Sequence, residues 1–390
     1  MSNRFFGALL GVAVMFCSLG ASAPPAPSLT DRAQAAYLAG DFGTAQADFA
    51  QAVAVNPDDP VARLGLGRIE LYGNQLDRAQ VDLQRAIDLH GDAAAAQRLL
   101  AGLRMRRAGA AAYDNVLTQG IVRIPFVQRD PLPMIAVKAD GVDALFLIDT
   151  GAPTVVIDPD FAKELGVQAR AAGTGTFAGG RQAPVSAAVL PHLTLGSVTL
   201  DGVRVNVLPT RELPFGNGRR IDGVLGTGVL MHFLSTLDYG GNQLMLRPRG
   251  ATMDTAGATI VPMWLVGDHF MFARGSINDA PVGLLLVDTG LAGGGVMPSA
   301  AEVNAAHIAL DRAHAGTGIG GGGPVTIVPF VAARVSLGSF VRQNVAGSYT
   351  PEGSPLGAFP FKVDGVVSHQ FFSPGSITFD FAAMQLRLTP

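Results

Sequence analysis

A chain of 390 residues is longer than one ordinary core and implies two or three domains. A hydrophobic share of 48% is ample for packed interiors. The net charge of -3, with no Lys/Arg run longer than Arg106-Arg107, gives no electrostatic footprint for nucleic acid. With 49 Gly, 25 Pro and one Cys, the composition excludes a disulfide scaffold and favours turn-rich β structure in the C-terminal part.

Residues 1–23 read as a secretory signal peptide: Arg4 supplies the positive end, Phe5 to Leu19 the apolar stretch, and Ala21-Ser22-Ala23 a small-residue cleavage site. The expectation is a periplasmic or secreted protein, with no membrane contact unless the segment stays uncleaved. Cys17 lies inside this segment, so a chain cut after Ala23 has no thiol chemistry.

From residue 27 to 109 the pattern is Ala-rich and helical, with a 34-residue echo: Ala45 and Ala79, Phe49 and Leu83, Ala52 and Ala86, Val53 and Ile87. These offsets fall on one helical face. The segment resembles tetratricopeptide hairpins, about two units and a capping helix. The resemblance implies a protein partner and no chemistry of its own.

Beyond Val116 the helical period gives way to strand signals, and the second half of the region repeats the first. PMIAVKADGVDALFLIDTG, ending at Gly151, is echoed by FMFARGSINDAPVGLLLVDTG, ending at Gly290. LTLGSVTLDGV from Leu193 matches VSLGSFVRQNV from Val335, and IDGVLG from Ile221 matches VDGVVS from Val363. Asp149 precedes Asp222 by 73 residues and Asp288 precedes Asp364 by 76. Ordered matches at conserved spacing mean a duplicated lobe, 116–250 and 258–390, joined through Gly250 to Gly257.

Asp149-Thr150-Gly151 and Asp288-Thr289-Gly290 each end an uninterrupted apolar run, so each reads as a buried strand delivering one carboxylate. Equivalent residues of paired lobes meet near the pseudo-twofold axis. Two carboxylates about 3 Å apart hold one proton between them, so one can take a proton from water while the other donates to a carbonyl. Thr150 and Thr289 offer hydroxyls to lock the loops, and Gly151 and Gly290 allow close approach.

These motifs resemble the retropepsin-like, pepsin-clan aspartic proteases, two lobes in tandem. The resemblance implies a bilobal all-β fold after the helical segment, catalysis by Asp149 and Asp288, and no cofactor or metal. It implies flaps at Gly175, Phe177 and Gly179 and at Gly318, Ile319 and Gly321, and a segment beneath each catalytic loop at Gly226 and Ser368. Lobe two departs from the pattern in its longer loop Leu291 to Gly295 and in Ser368 where a glycine is expected, and neither lobe's flap carries a tyrosine, only Phe177 and Ile319.

Gly316 to Gly321 formally fits a GxGxxG dinucleotide loop. A helix-like stretch from Glu302 to His314 precedes it and a strand pattern follows, the reverse of what such a loop needs. The histidines show no short metal spacing, and His232 and His369 are expected to be partly exposed near a domain edge. Asp222, Asp238, Asp364 and Asp380 are expected to cap turns. The sequence reads as an aspartic endopeptidase acting on peptide or protein substrates, with apolar specificity because the cleft candidates carry few charges. The alternative is a non-catalytic peptide-binding scaffold with degenerate protease lobes and partner-binding repeats.

Overall fold

The computed structural model describes residues 26–110, 116–176, 182–320, 323–352 and 355–390. The expected signal segment lies outside them. Helix starts follow the local chemistry. Ser28 and Asp31 form a capping box at α1 (Leu29–Leu38), Asp41 caps α2 (Phe42–Val55), and Asp59 with Pro60 at N1 opens α3 (Pro60–Tyr72). α4 (Leu76–Asp88) and α5 (Ala93–Ala110) complete two hairpins and a further helix. The echoed residues Ala45, Phe49 and Ala52, and Ala79, Leu83 and Ala86, are all buried.

The helical segment is not a free appendage. Tyr37, Phe42 and Tyr72 join one core with Trp264, Phe272 and Phe361 of the second lobe. The Phe42 ring centre lies 4.8 Å from Phe361 and 5.6 Å from Trp264, edge to face. Each such pair contributes about 0.5–1.5 kcal/mol beyond burial. Arg106 of α5 donates to the carbonyls of Leu71, Leu265 and Gly267, tying this helix to both α3 and the second lobe.

Lobe one runs β1 (Val122–Gln128), β2 (Met134–Ala139), β3 (Val142–Ile148), β4 (Val155–Ile157), α6 (Pro159–Glu164), β5 (Arg170–Thr176), β6 (Gln182–Leu195), β7 (Val198–Val207), β8 (Gly223–Leu225), α7 (Thr227–Leu230), β9 (Phe233–Asp238) and β10 (Gln243–Pro248). Lobe two repeats the succession as β11 (Thr259–Val266), β12 (Phe270–Ile277), β13 (Gly283–Val287), β14 (Val296–Pro298), α8 (Ala300–Ala305), β15 (Gly316–Gly320), β16 (Gly323–Leu337), β17 (Phe340–Tyr349), β18 (Gly365–Val367), α9 (His369–Phe372), β19 (Ser376–Asp380) and β20 (Gln385–Thr389). The helix expected to run from Glu302 to His314 stops at Ala305; a 3-10 turn covers only Arg312–His314.

Pairing repeats with the order. β3 lies between antiparallel β2 and parallel β8, and β13 between antiparallel β12 and parallel β18. Flanked on both sides, these strands bury almost all of their apolar runs. The lobes meet in one antiparallel sheet of order β1, β10, β9, β19, β20, β11. At its centre Thr236 pairs with Thr378, and their hydroxyls lie 2.8 Å apart. Among the described residues no helix is long and apolar enough to cross a membrane.

Candidate active site

Each central strand ends at its acid, and the parallel neighbour holds it there. The Asp149 N–H donates to the Leu225 carbonyl at 3.1 Å, and the Asp288 N–H to the Val367 carbonyl at 3.0 Å. The chain then turns back on the side chain: Gly151 N–H donates to Asp149 Oδ1 at 2.8 Å, and Gly290 N–H to Asp288 Oδ1 at 2.9 Å. The two turns interlock across the lobes. Thr150 N–H donates to Thr289 Oγ1 and Thr289 N–H to Thr150 Oγ1, both at 3.0 Å. The hydroxyls point on to the carbonyls of Val287 and Ile148, each at 3.4 Å.

That interlock brings the half-buried carboxyls of Asp149 and Asp288 into hydrogen-bond contact. Burial, and then the charge of Asp288, hold the Asp149 carboxyl well above the usual carboxylate range. A Cβ on Gly151 would lie 2.6 Å from Asp288 Oδ2, and one on Gly290 2.1 Å from Asp149 Oδ1. Each glycine leaves the space that the opposite acid occupies. A pair sharing one proton has both an acid and a base within reach of the same small molecule.

Gly226 and Ser368 sit beneath the loops, with different packing. A Cβ at Gly226 would meet the Thr154 carbonyl oxygen at 2.2 Å. Lobe two takes eight residues rather than six from its Asp to the next strand, and its loop leaves room for Ser368, whose hydroxyl donates to the Gly294 carbonyl at 2.7 Å. The serine therefore braces the longer loop. Gly175 lies on β5, and Gly318 and Ile319 on β15, each in a hairpin with the next strand. Phe177, Gly179 and Gly321 fall outside the described residues.

Several residues were missed or misjudged from sequence. Thr227, directly after Gly226, donates its hydroxyl to the Thr150 carbonyl at 2.8 Å and so supports the acid loop. Its counterpart is His369. The expectation of partial exposure fails for both histidines: His232 is 4% exposed and His369 fully buried. Burial pushes the His369 imidazole down to about 4, against the pull of Asp130, whose Oδ1 lies 3.8 Å from Nε2. The landmark that flags Ser368 also flags the residue after it, a signal the sequence did contain.

Asp238 and Asp380 do cap turns, accepting from Gly241 N–H and Ala383 N–H at 2.8 Å. Asp222 and Asp364 do not. They are buried and accept from the N–H groups of Leu145 and Leu284, pinning the acid-bearing strands from the side. Arg211 clamps Asp222 at 2.8 Å and Glu164 at 2.9 Å. In place of a nucleotide loop, Gly316–Gly320 is a strand running into a hairpin. Among the described residues, no group of three or more His, Cys, Asp or Glu could hold a metal ion.

Residues 135–229 match the family model described as aspartyl protease, and residues 36–103 match that of the tetratricopeptide repeat. Among solved structures, the chain is similar to a retropepsin-like aspartic protease from Rickettsia conorii at 21% identity, over 33% of this chain and 89% of that one, with a TM-score of 0.26. No curated protein matches. The helical segment is tetratricopeptide-like, and the β region after it has an aspartic-protease-like fold.

Proposed function

We propose that this chain, tetratricopeptide-like repeats followed by retropepsin-like lobes, is an aspartic endopeptidase in which Asp149 and Asp288 activate a water. The observation that supports it most is the reciprocal Thr150–Thr289 exchange, which holds two equivalent acids in contact. An extended peptide lies in the cleft between the lobes and pairs its backbone with strand edges near β5 and β15. The water sits between the carboxyls. The ionised member takes its proton while the protonated member donates to the scissile carbonyl oxygen, giving a gem-diol. The newly protonated acid then protonates the departing nitrogen while a diol hydroxyl returns a proton to the other acid, and the C–N bond breaks to a carboxylic acid and an amine. Half-buried backbone donors at Gly151 and Gly290 fix the carboxyls, so little reorganisation accompanies the transfer.

In this reading the protein is secreted or periplasmic, and the face of the repeats not packed on lobe two engages a protein partner. Separate Asp149→Asn and Asp288→Asn variants test the chemistry on a mixed peptide pool. Either change abolishes cleavage while peptide binding persists. Cleavage that survives in both variants refutes the assignment of the two acids, and a parent protein that binds peptides without cutting any of them is the scaffold instead. Because the active form needs the shared proton held at Asp149, the rate falls as pH rises through that raised pKa.

A further inference from the structure

Lobe one carries an outward sheet face whose composition is set by strand register. Directly paired residues of an antiparallel sheet project to the same side. Arg170 pairs with Ala187, Ala187 with Asn206, and Val189 with Arg204, so these five side chains share one face of β5, β6 and β7. The alternate residues Ala188 and Val205 pack into the lobe core. The face therefore has a small apolar floor, including Val189 at 57% exposure, flanked by two arginines.

This face is one wall of a groove of about 820 Å³. Met105 of α5, 68% exposed, and Asp268 at the β11–β12 turn form the opposite side. The groove reaches Pro153 and Thr154, which follow Asp149 within five residues in the chain, so one end of it borders the segment that carries the acid. Its charge is unbalanced. Elsewhere in the lobe Arg211 and Arg220 are engaged by Glu164 and Asp222, whereas Arg170 and Arg204 meet no carboxylate among the described residues. Asp268 is itself engaged by His269 at 2.5 Å, and Arg106 lies near it.

We infer that this groove binds the stretch of substrate flanking the bond to be cut, and that it favours acidic side chains separated by small or apolar ones. The inference rests on the endopeptidase reading and replaces the expectation of purely apolar specificity. Two guanidiniums beside an alanine and valine floor suit an acidic peptide. They are too few for a nucleic acid, which needs an extended basic track. The capping helix of the repeats thereby becomes a wall of the substrate site.

Peptides sharing one cleavable core, extended on either side with Glu-Ala-Glu-Ala, Ala-Ala-Ala-Ala or Lys-Ala-Lys-Ala, test it. On one side of the core the acidic extension lowers KM and raises kcat/KM over the alanine extension, up to about tenfold for two exposed ion pairs. The advantage shrinks as salt is added. In Arg170→Glu/Arg204→Glu the ranking inverts in favour of lysine; Arg170→Gln and Arg204→Gln each lose part of it should the double variant not fold. Equal use of the three peptides, or an acidic preference that survives the charge reversal, overturns the inference. Fluorescence anisotropy of the same peptides on Asp149→Asn separates the two readings. Absence of all cleavage by the parent protein refutes the endopeptidase. The acidic peptide must still bind more tightly than the lysine one and lose that advantage on charge reversal, or the groove assignment falls as well.

Discussion

Replacing Thr289 by Val keeps nearly the same shape and removes one oxygen from the joint between the lobes. That oxygen, fully buried, accepts the Thr150 N–H at 3.0 Å and points at the Ile148 carbonyl at 3.4 Å. The long contact is weak by geometry, so the main loss is the first. Thr150 N–H then stays buried with no acceptor, at a cost of about 1–3 kcal/mol. A loss of about 2 kcal/mol is a factor of roughly 30 in the balance between the locked and released loops. The pair of acids depends on that lock, so cleavage of a peptide substrate falls together with stability.

Urea unfolding at constant m-value reports the first quantity and kcat on one peptide the second. Thr289→Ser is the control: it retains the acceptor and loses one buried methyl, at about 0.8 kcal/mol, with activity kept. By the pseudo-twofold relation Thr150→Val behaves as Thr289→Val does, since the bond it removes has the same length. A Val variant as stable and active as the parent, or a Ser variant as damaged as Val, refutes the reasoning.

Glu70, buried between α3 and α4 beside Asp82, is pushed up to about 8 by burial first and by the Asp82 charge second. A folded pKa above the unfolded value means that the native state binds the proton more tightly. Its contribution is therefore complete below about pH 4 and is lost as pH rises through about 8. Glu70→Gln flattens the stability profile across that window and raises stability near neutral pH by at most about 3 kcal/mol; denaturant titrations at pH 4 and 8 check it, and parallel profiles for parent and variant count against it. Gly226→Ala drives a Cβ into the Thr154 and Ala152 carbonyls and costs about 3 kcal/mol. Ser368→Ala forgoes one hydrogen bond and costs about 1 kcal/mol. Comparable melting shifts for the two would show that the lobes are packed alike.

Much of this architecture is legible in the chain because local and short-range signals agree. The 34-residue echo marks helical faces that are indeed buried, Ala45 with Ala79 and Phe49 with Leu83. The apolar runs before Asp149 and Asp288 can be fully covered only as central strands, and so they are. The interlock of Thr150 with Thr289 follows once duplicated strands are placed about an axis.

What the chain leaves open depends on contacts between distant segments. Nothing local to His369 says that lobe one will bury it beside Asp130 and Tyr239. The 34-residue echo marks the helical hairpins, whereas the packing of Tyr37, Phe42 and Tyr72 on the aromatic cluster of lobe two does not show in it. Arg170 and Arg204 stand 34 residues apart and come onto one face only through the register of β5, β6 and β7. Periodicity and duplication thus determined which elements form and which two acids correspond. Burial, charge balance and the groove beside α5 were decided by tertiary packing, because side-chain environment is set by neighbours that sequence proximity does not specify.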